Sequence, residues 1–95
     1  MAEPRIWERA GPPTAIVIYP DPVRGTWRHA VYHAKGAITD GKLKVGASDS
    51  PEAAKAEAEA MVRQVCSQYH HLSVEVHWGP PDEKGWIAGD IVIVA

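Results

Sequence analysis

Only one stretch of this chain has the periodicity of a long helix, and the rest of its apolar sequence reads as strand. Ser50 suits an N-cap, Pro51 the first helical position, and Glu52 the positive end of the helix dipole. Ala54, Ala58, Met61, Val65 and Tyr69 then recur at helical spacing as one apolar stripe, with Lys55, Glu59 and Arg63 as i,i+4 partners on an outer face. These signals predict a helix over about 51–69. A single helix can cover only one face of a sheet, and that limit governs everything else.

The strand signals fall on both sides of it. Thr14–Tyr19 is β-branched and apolar until Pro20-Asp21-Pro22 stops it. Gly25 closes a turn, and Thr26–Ala34 is a second strand. Asp40-Gly41, flanked by Ala37-Ile38-Thr39 and Lys42–Val45, predicts a two-residue hairpin followed by a third strand over about 42–46. After the helix, Leu72, Val74, Val76 and Trp78 alternate with Ser73, Glu75 and His77, the pattern of a half-buried strand. Gly79-Pro80-Pro81-Asp82 opens a loop ending near Gly85, and Trp86–Val94 is the last strand. The expected fold class is α+β, a mostly antiparallel five-stranded sheet with one long helix in the order β-β-β-α-β-β. The runs AIVIY and IVIV are apolar on both faces, so the face away from the helix needs its own cover. The Ile6/Trp7 arm, a folding of the sheet on itself, or a second chain would serve, and a homodimer is expected on that ground.

Ninety-five residues fit one domain, 1–95, with residues 1–13 as an N-terminal arm. With 45% hydrophobic and 23% charged residues, the chain has a globular balance that argues against disorder. No apolar run approaches the roughly 20 residues of a spanning helix, and Met1–Ala10 carries Glu3, Arg5, Glu8 and Arg9 in place of an apolar signal core. The one cysteine, Cys66, cannot form an internal disulfide. A cytoplasmic, reducing location with no membrane partner is expected.

The net charge of −2 is unevenly spread. Residues 24–44 hold Arg24, Arg28, Lys35, Lys42 and Lys44 against Asp40 alone, a segment of +4, while the three remaining portions of the chain are each acidic. Those five cations are the candidate binding residues, for nucleic acid or another partner.

Other chemistry has weaker support. Gly36–Lys42 spells GxxxxGK, but Leu43 stands where a phosphate-binding loop needs a hydroxyl, and the expected context is a β-turn rather than the start of a helix. His29 and His33, four apart on a strand, sit roughly 13 Å from each other, too far to share an ion unaided. Cys66 and His70 could form half of a zinc site with no visible second half. Ser48 lies in a turn sequence without a nucleophile elbow, Cys66 falls mid-helix, and Glu75 with His77 could form an acid/base pair on a wet strand face. Trp7, Trp27, Trp78 and Trp86 are expected as core or interface anchors before they are stacking platforms. No cofactor, metal ligand or catalytic residue is assigned.

Two families share features with these residues. The segment Leu43-Lys-Val-Gly46-Ala-Ser-Asp-Ser50-Pro-Glu-Ala-Ala-Lys-Ala-Glu-Ala resembles the strand–Gly–helix segment of HicB-like antitoxins, which implies a small, often oligomeric protein that neutralises a partner. Gly25-Thr26-Trp27-Arg28, the basic hairpin and the Ser-Pro-Glu-Ala-Ala helix start resemble the arm-type DNA-binding domain of phage tyrosine integrases. That resemblance implies a three-stranded sheet reading DNA through Arg28, Lys42 and Lys44. The expected function is a non-enzymatic binding or regulatory module that engages nucleic acid through a basic sheet or hairpin. An antitoxin-like, protein-binding adaptor is second, and a small metal-dependent or hydrolytic enzyme third.

Overall fold

The computed structural model describes residues 10–94. The arm containing Ile6 and Trp7 lies outside the described residues, as do the other residues of 1–9 and Ala95. The elements are β1 (Pro13–Asp21), β2 (Thr26–His33), β3 (Ile38–Gly46), α1 (Pro51–His70), β4 (Val74–Trp78) and β5 (Ile87–Ile93). This is the α+β order β-β-β-α-β-β, with the five strands in one sheet of order β3-β2-β1-β5-β4. Every neighbouring pair is antiparallel. β1 sits at the centre because the β4–β5 unit that follows the helix joins the sheet on the side of β1 opposite β2.

The helix begins and ends where its caps dictate. The Ser50 Oγ accepts the Ala53 N–H at 3.1 Å, and Pro51 needs no donor in the first turn. At the other end His71 turns left-handed at φ 54°, and the Leu72 N–H donates to the Cys66 carbonyl at 3.1 Å. Ala54, Ala58, Val62 and Cys66 form the buried line, a strict i,i+4 ridge. This corrects the expected stripe: Met61, Val65 and Tyr69 are only half-buried and flank the ridge. The two alanines put only a methyl group each between the helix backbone and the sheet.

On the covered face α1 packs against Ile16, Ile18, Trp27, Val31, Leu43, Val45, Val74, Val76, Ile87 and Ile91 in one core. The indole N–H of Trp27 donates to the Asp49 carbonyl at 3.2 Å and ties β2 to the loop before the helix. Trp78 donates to Glu59 Oε1 at 2.6 Å and ties β4 to the helix flank, where Glu59 also pairs with Arg63 at 3.8 Å.

The expected Asp40-Gly41 hairpin is a second correction. Asp40 and Gly41 lie inside β3, paired with Ala30 and His29, and Lys42 is mid-strand. The chain reverses earlier, at 34–37, where Gly36 has φ +89° and its N–H donates to the His33 carbonyl at 2.9 Å. Gly41 is required for a different reason. A Cβ there would stand 3.1 Å from His29 Nε2, so the glycine leaves space for a buried imidazole.

Candidate nucleic-acid interface

Strand alternation decides what the other face carries. With Ile16 and Ile18 turned inward, Ala15, Val17 and Tyr19 turn outward. With Trp27, His29 and Val31 inward, Arg28, Ala30 and Tyr32 turn outward. In β3 the inward Leu43 and Val45 leave Ile38, Asp40, Lys42 and Lys44 outward, and in β5 the inward Ile87 and Ile91 leave Ala88, Asp90 and Val92 outward. Among the described residues no helix or strand packs on this open face.

Register then assembles rows across it. Lys42 pairs with Arg28, and Arg28 with Tyr19, so two cations and a phenol form one row. Lys44 follows Lys42 on the same side, beside a β2–β3 irregularity between Thr26 and Arg28. Three of the five sequence candidates, Arg28, Lys42 and Lys44, are therefore brought together. Arg24 sits apart in the β1–β2 turn with its guanidinium 3.7 Å from Asp21 Oδ2. Lys35 lies in the turn beyond the far end of β2, where its N–H donates to the Ala10 carbonyl at 3.0 Å.

Beside the cations is an aromatic group that composition alone does not reveal. Tyr19 stacks on Trp86 with ring centroids 4.4 Å apart and planes 22° from parallel. The Lys84 ammonium lies 5.7 Å from the Trp86 ring centroid. Asp82 fixes this loop: its Oδ1 accepts the Lys84 N–H at 2.8 Å and the Trp86 N–H at 2.9 Å, and its own N–H donates to the Trp86 carbonyl at 2.8 Å. Val17, Ala30 and Ala88 form the floor of a trough of about 320 Å³, walled by the Tyr19–Trp86 stack and by Tyr32. Tyr32 and Trp86 are each 40% exposed. The four tryptophans thus divide: Trp27 is core, Trp78 packs at its margin, Trp86 is on the open face, and Trp7 is outside the described residues. Period-2 alternation is the signal that would have found Tyr19 and Tyr32, since each follows an inward residue.

The opposite margin of the open face is acidic. Asp90 lies opposite His77, and His77 Nε2 is 3.3 Å from Glu75 Oε1. The face is mainly basic at β3 and β2, where Arg28, Lys42 and Lys44 outnumber the exposed Asp40, apolar at β1, and acidic at β5 and β4. The acid/base chemistry considered for Glu75 and His77 has both groups exposed, where water competes for the proton.

Three further titratable groups, His29, His33 and Cys66, are buried. Burial lowers the His29 pKa below its usual value, with Asp40 opposing and Arg28 reinforcing the shift. His29 Nδ1 is buried without a hydrogen-bond partner among the described residues. Burial also lowers His33, which the Gly11 carbonyl partly counters. That carbonyl can only accept, so at 3.1 Å it places the ring proton on Nδ1 and leaves Nε2 to accept from Thr39 Oγ1 at 3.0 Å. Burial pushes the Cys66 thiol up to about 11, which makes it a poor nucleophile at neutral pH. Among the described residues no three His, Cys, Asp or Glu side chains converge to hold a metal ion, and no helix is long and apolar enough to cross a membrane.

No family model, curated protein or solved structure matches the chain.

Proposed function

We propose that this protein is a non-enzymatic binding module that takes nucleic acid on the open face of its sheet. The observation that carries the reading is the shared face of Arg28, Lys42 and Lys44 with the exposed aromatics Tyr32 and Trp86. Cations recruit phosphates and release their counterions, while aromatic faces accept bases of any sequence. The acidic helix does not oppose this, because Glu52, Glu57 and Glu59 lie on the element packed against the other face. The resemblance to integrase arm-type domains points to the same three cations.

An electrophoretic shift with DNA and RNA at low and moderate salt tests the reading. Three phosphate contacts on a single strand predict that log affinity falls with log salt with a slope of about −2, and Lys42→Glu should make that slope shallower. Absence of any shift at low salt sinks the proposal.

An antitoxin-type adaptor is the second reading, and one observation favours it. β4 is an edge strand with a single partner, and Ile93 and Val94 at the end of that partner, β5, are 56% and 52% exposed. A partner protein could add a strand there. Salt-insensitive capture of one protein, reduced by Ile93→Lys, would support this reading over the first.

A further inference from the structure

We infer that the nucleic acid this face takes is single-stranded, with an unpaired base seated in the trough between Tyr32 and the Tyr19–Trp86 stack. The inference rests on the nucleic-acid reading of the same face and specifies its ligand. The trough is about 320 Å³, near the small end of ligand sites, and suits a planar ring or two rather than a duplex edge. Its floor is made of short side chains, Val17, Ala30 and Ala88, so the wall rings stand above it and offer flat surfaces. A base still paired and stacked in a duplex cannot present its face to such walls, whereas an unpaired base can.

Charge sets the direction of the strand. Lys42 and Arg28 lie on β3 and β2, so the cationic row is one to two strand spacings, about 5–10 Å, from Tyr19 on β1. Asp90 and Glu75 occupy the other margin and repel a phosphate there. A backbone lying over the Lys44–Lys42–Arg28 end of β3 and β2, clear of the exposed Asp40 further along β3, therefore points its bases inward, over β1 and β5. Lys84 is a fourth cation near the stack, 5.7 Å from the Trp86 ring centroid, and Asp82, whose carboxylate holds this loop, lines the same end of the trough.

The experiment is fluorescence anisotropy at low salt with labelled oligothymidylate, oligoadenylate and the duplex of the two. The proteins are the full chain and its Tyr32→Ala, Tyr32→Phe and Lys42→Glu variants, with folding checked by near-ultraviolet circular dichroism. Single strands should bind at least about tenfold more tightly than duplex. Tyr32→Ala should weaken them by about 5- to 150-fold, while Tyr32→Phe retains a stacking ring and keeps the affinity. Equal affinity for strand and duplex, insensitive to Tyr32→Ala but weakened by Lys42→Glu, would overturn the single-strand inference and leave the basic face as a nucleic-acid surface. No binding of either form would remove both. A dimer in sedimentation velocity that Tyr32→Ala dissociates, and that excludes oligonucleotide, would assign the trough to a second copy of the chain.

Discussion

The two faces of the sheet are built from the same strands, residue by alternate residue, yet they obey different rules. On the covered face Ile16, Ile18, Val31 and Ile87 are essentially without exposure, and even the two histidines are buried. One residue further along each strand, the open face has half-buried Val17 and Ala30, exposed Tyr32 and Ala88, and charges that are mainly basic on β2 and β3 and acidic on β5 and β4. The covered face spends its side chains on packing against α1. The open face has nothing to pack against among the described residues, and its aromatic rings and cations are left facing outward. Rings left exposed beside cations are the feature on which the proposed binding role of this face rests.

The contrast is sharpest in a pair of neighbouring truncations. Ile16→Ala should cost about 2–5 kcal/mol in urea unfolding, and Val17→Ala about 1 kcal/mol or less. Similar losses at both positions would mean that the open face is covered in solution. Gly89→Ala comes next. Its Cβ would stand 2.7 Å from Val76 Cγ1 and 2.9 Å from Trp78 Cε3, so an expected loss of about 1–3 kcal/mol should appear in the same assay.

Acid should weaken the covered face. The pKa values of His29 and His33 are lowered on folding, so below pH 6.5 the unfolded chain binds protons that the folded chain does not. The stability these neutral rings contribute is fully present above about pH 6.5 and is lost as pH falls through their lowered folded values. Urea midpoints at about pH 7.5 and pH 5 measure this, and replacing His29 by Gln should flatten the difference. The smallest stability effect is expected at Lys42→Glu, within about 0.5 kcal/mol of the parent, although the same change should weaken nucleic-acid binding. A large destabilisation there would give Lys42 a structural role instead.

Much of this fold was legible because its signals are local. Ser50-Pro51-Glu52 marks the helix start by chemistry that needs no tertiary partner, and alternation in 72–78 marks β4 and its faces. Asp40-Gly41 misled because a turn pair and a close-packed strand glycine look the same in sequence. What separates them is the His29 ring on the neighbouring strand, a contact between residues twelve apart. The helix stripe was legible at Ala54 and Ala58 and misplaced in its second half. Helical spacing at i+3 and i+4 admits both Met61 and Val62 after Ala58, and only the packing against the sheet selects the line through Val62 and Cys66. In the candidate site, Arg28, Lys42 and Lys44 were visible as charge. Their aromatic neighbours, Tyr19 on β1 and Trp86 just before β5, are far apart in sequence, and only the β1–β5 pairing unites them.

The central claim is that the open face, and not the helix, is the binding surface. Mapping amide chemical-shift changes on titration with a short single-stranded oligonucleotide tests it directly. The account predicts the largest changes at Tyr19, Arg28, Tyr32, Lys42 and Trp86, with α1 between Ala54 and Cys66 undisturbed. Changes centred on α1 or on the β4 edge, or no changes at all, would contradict it.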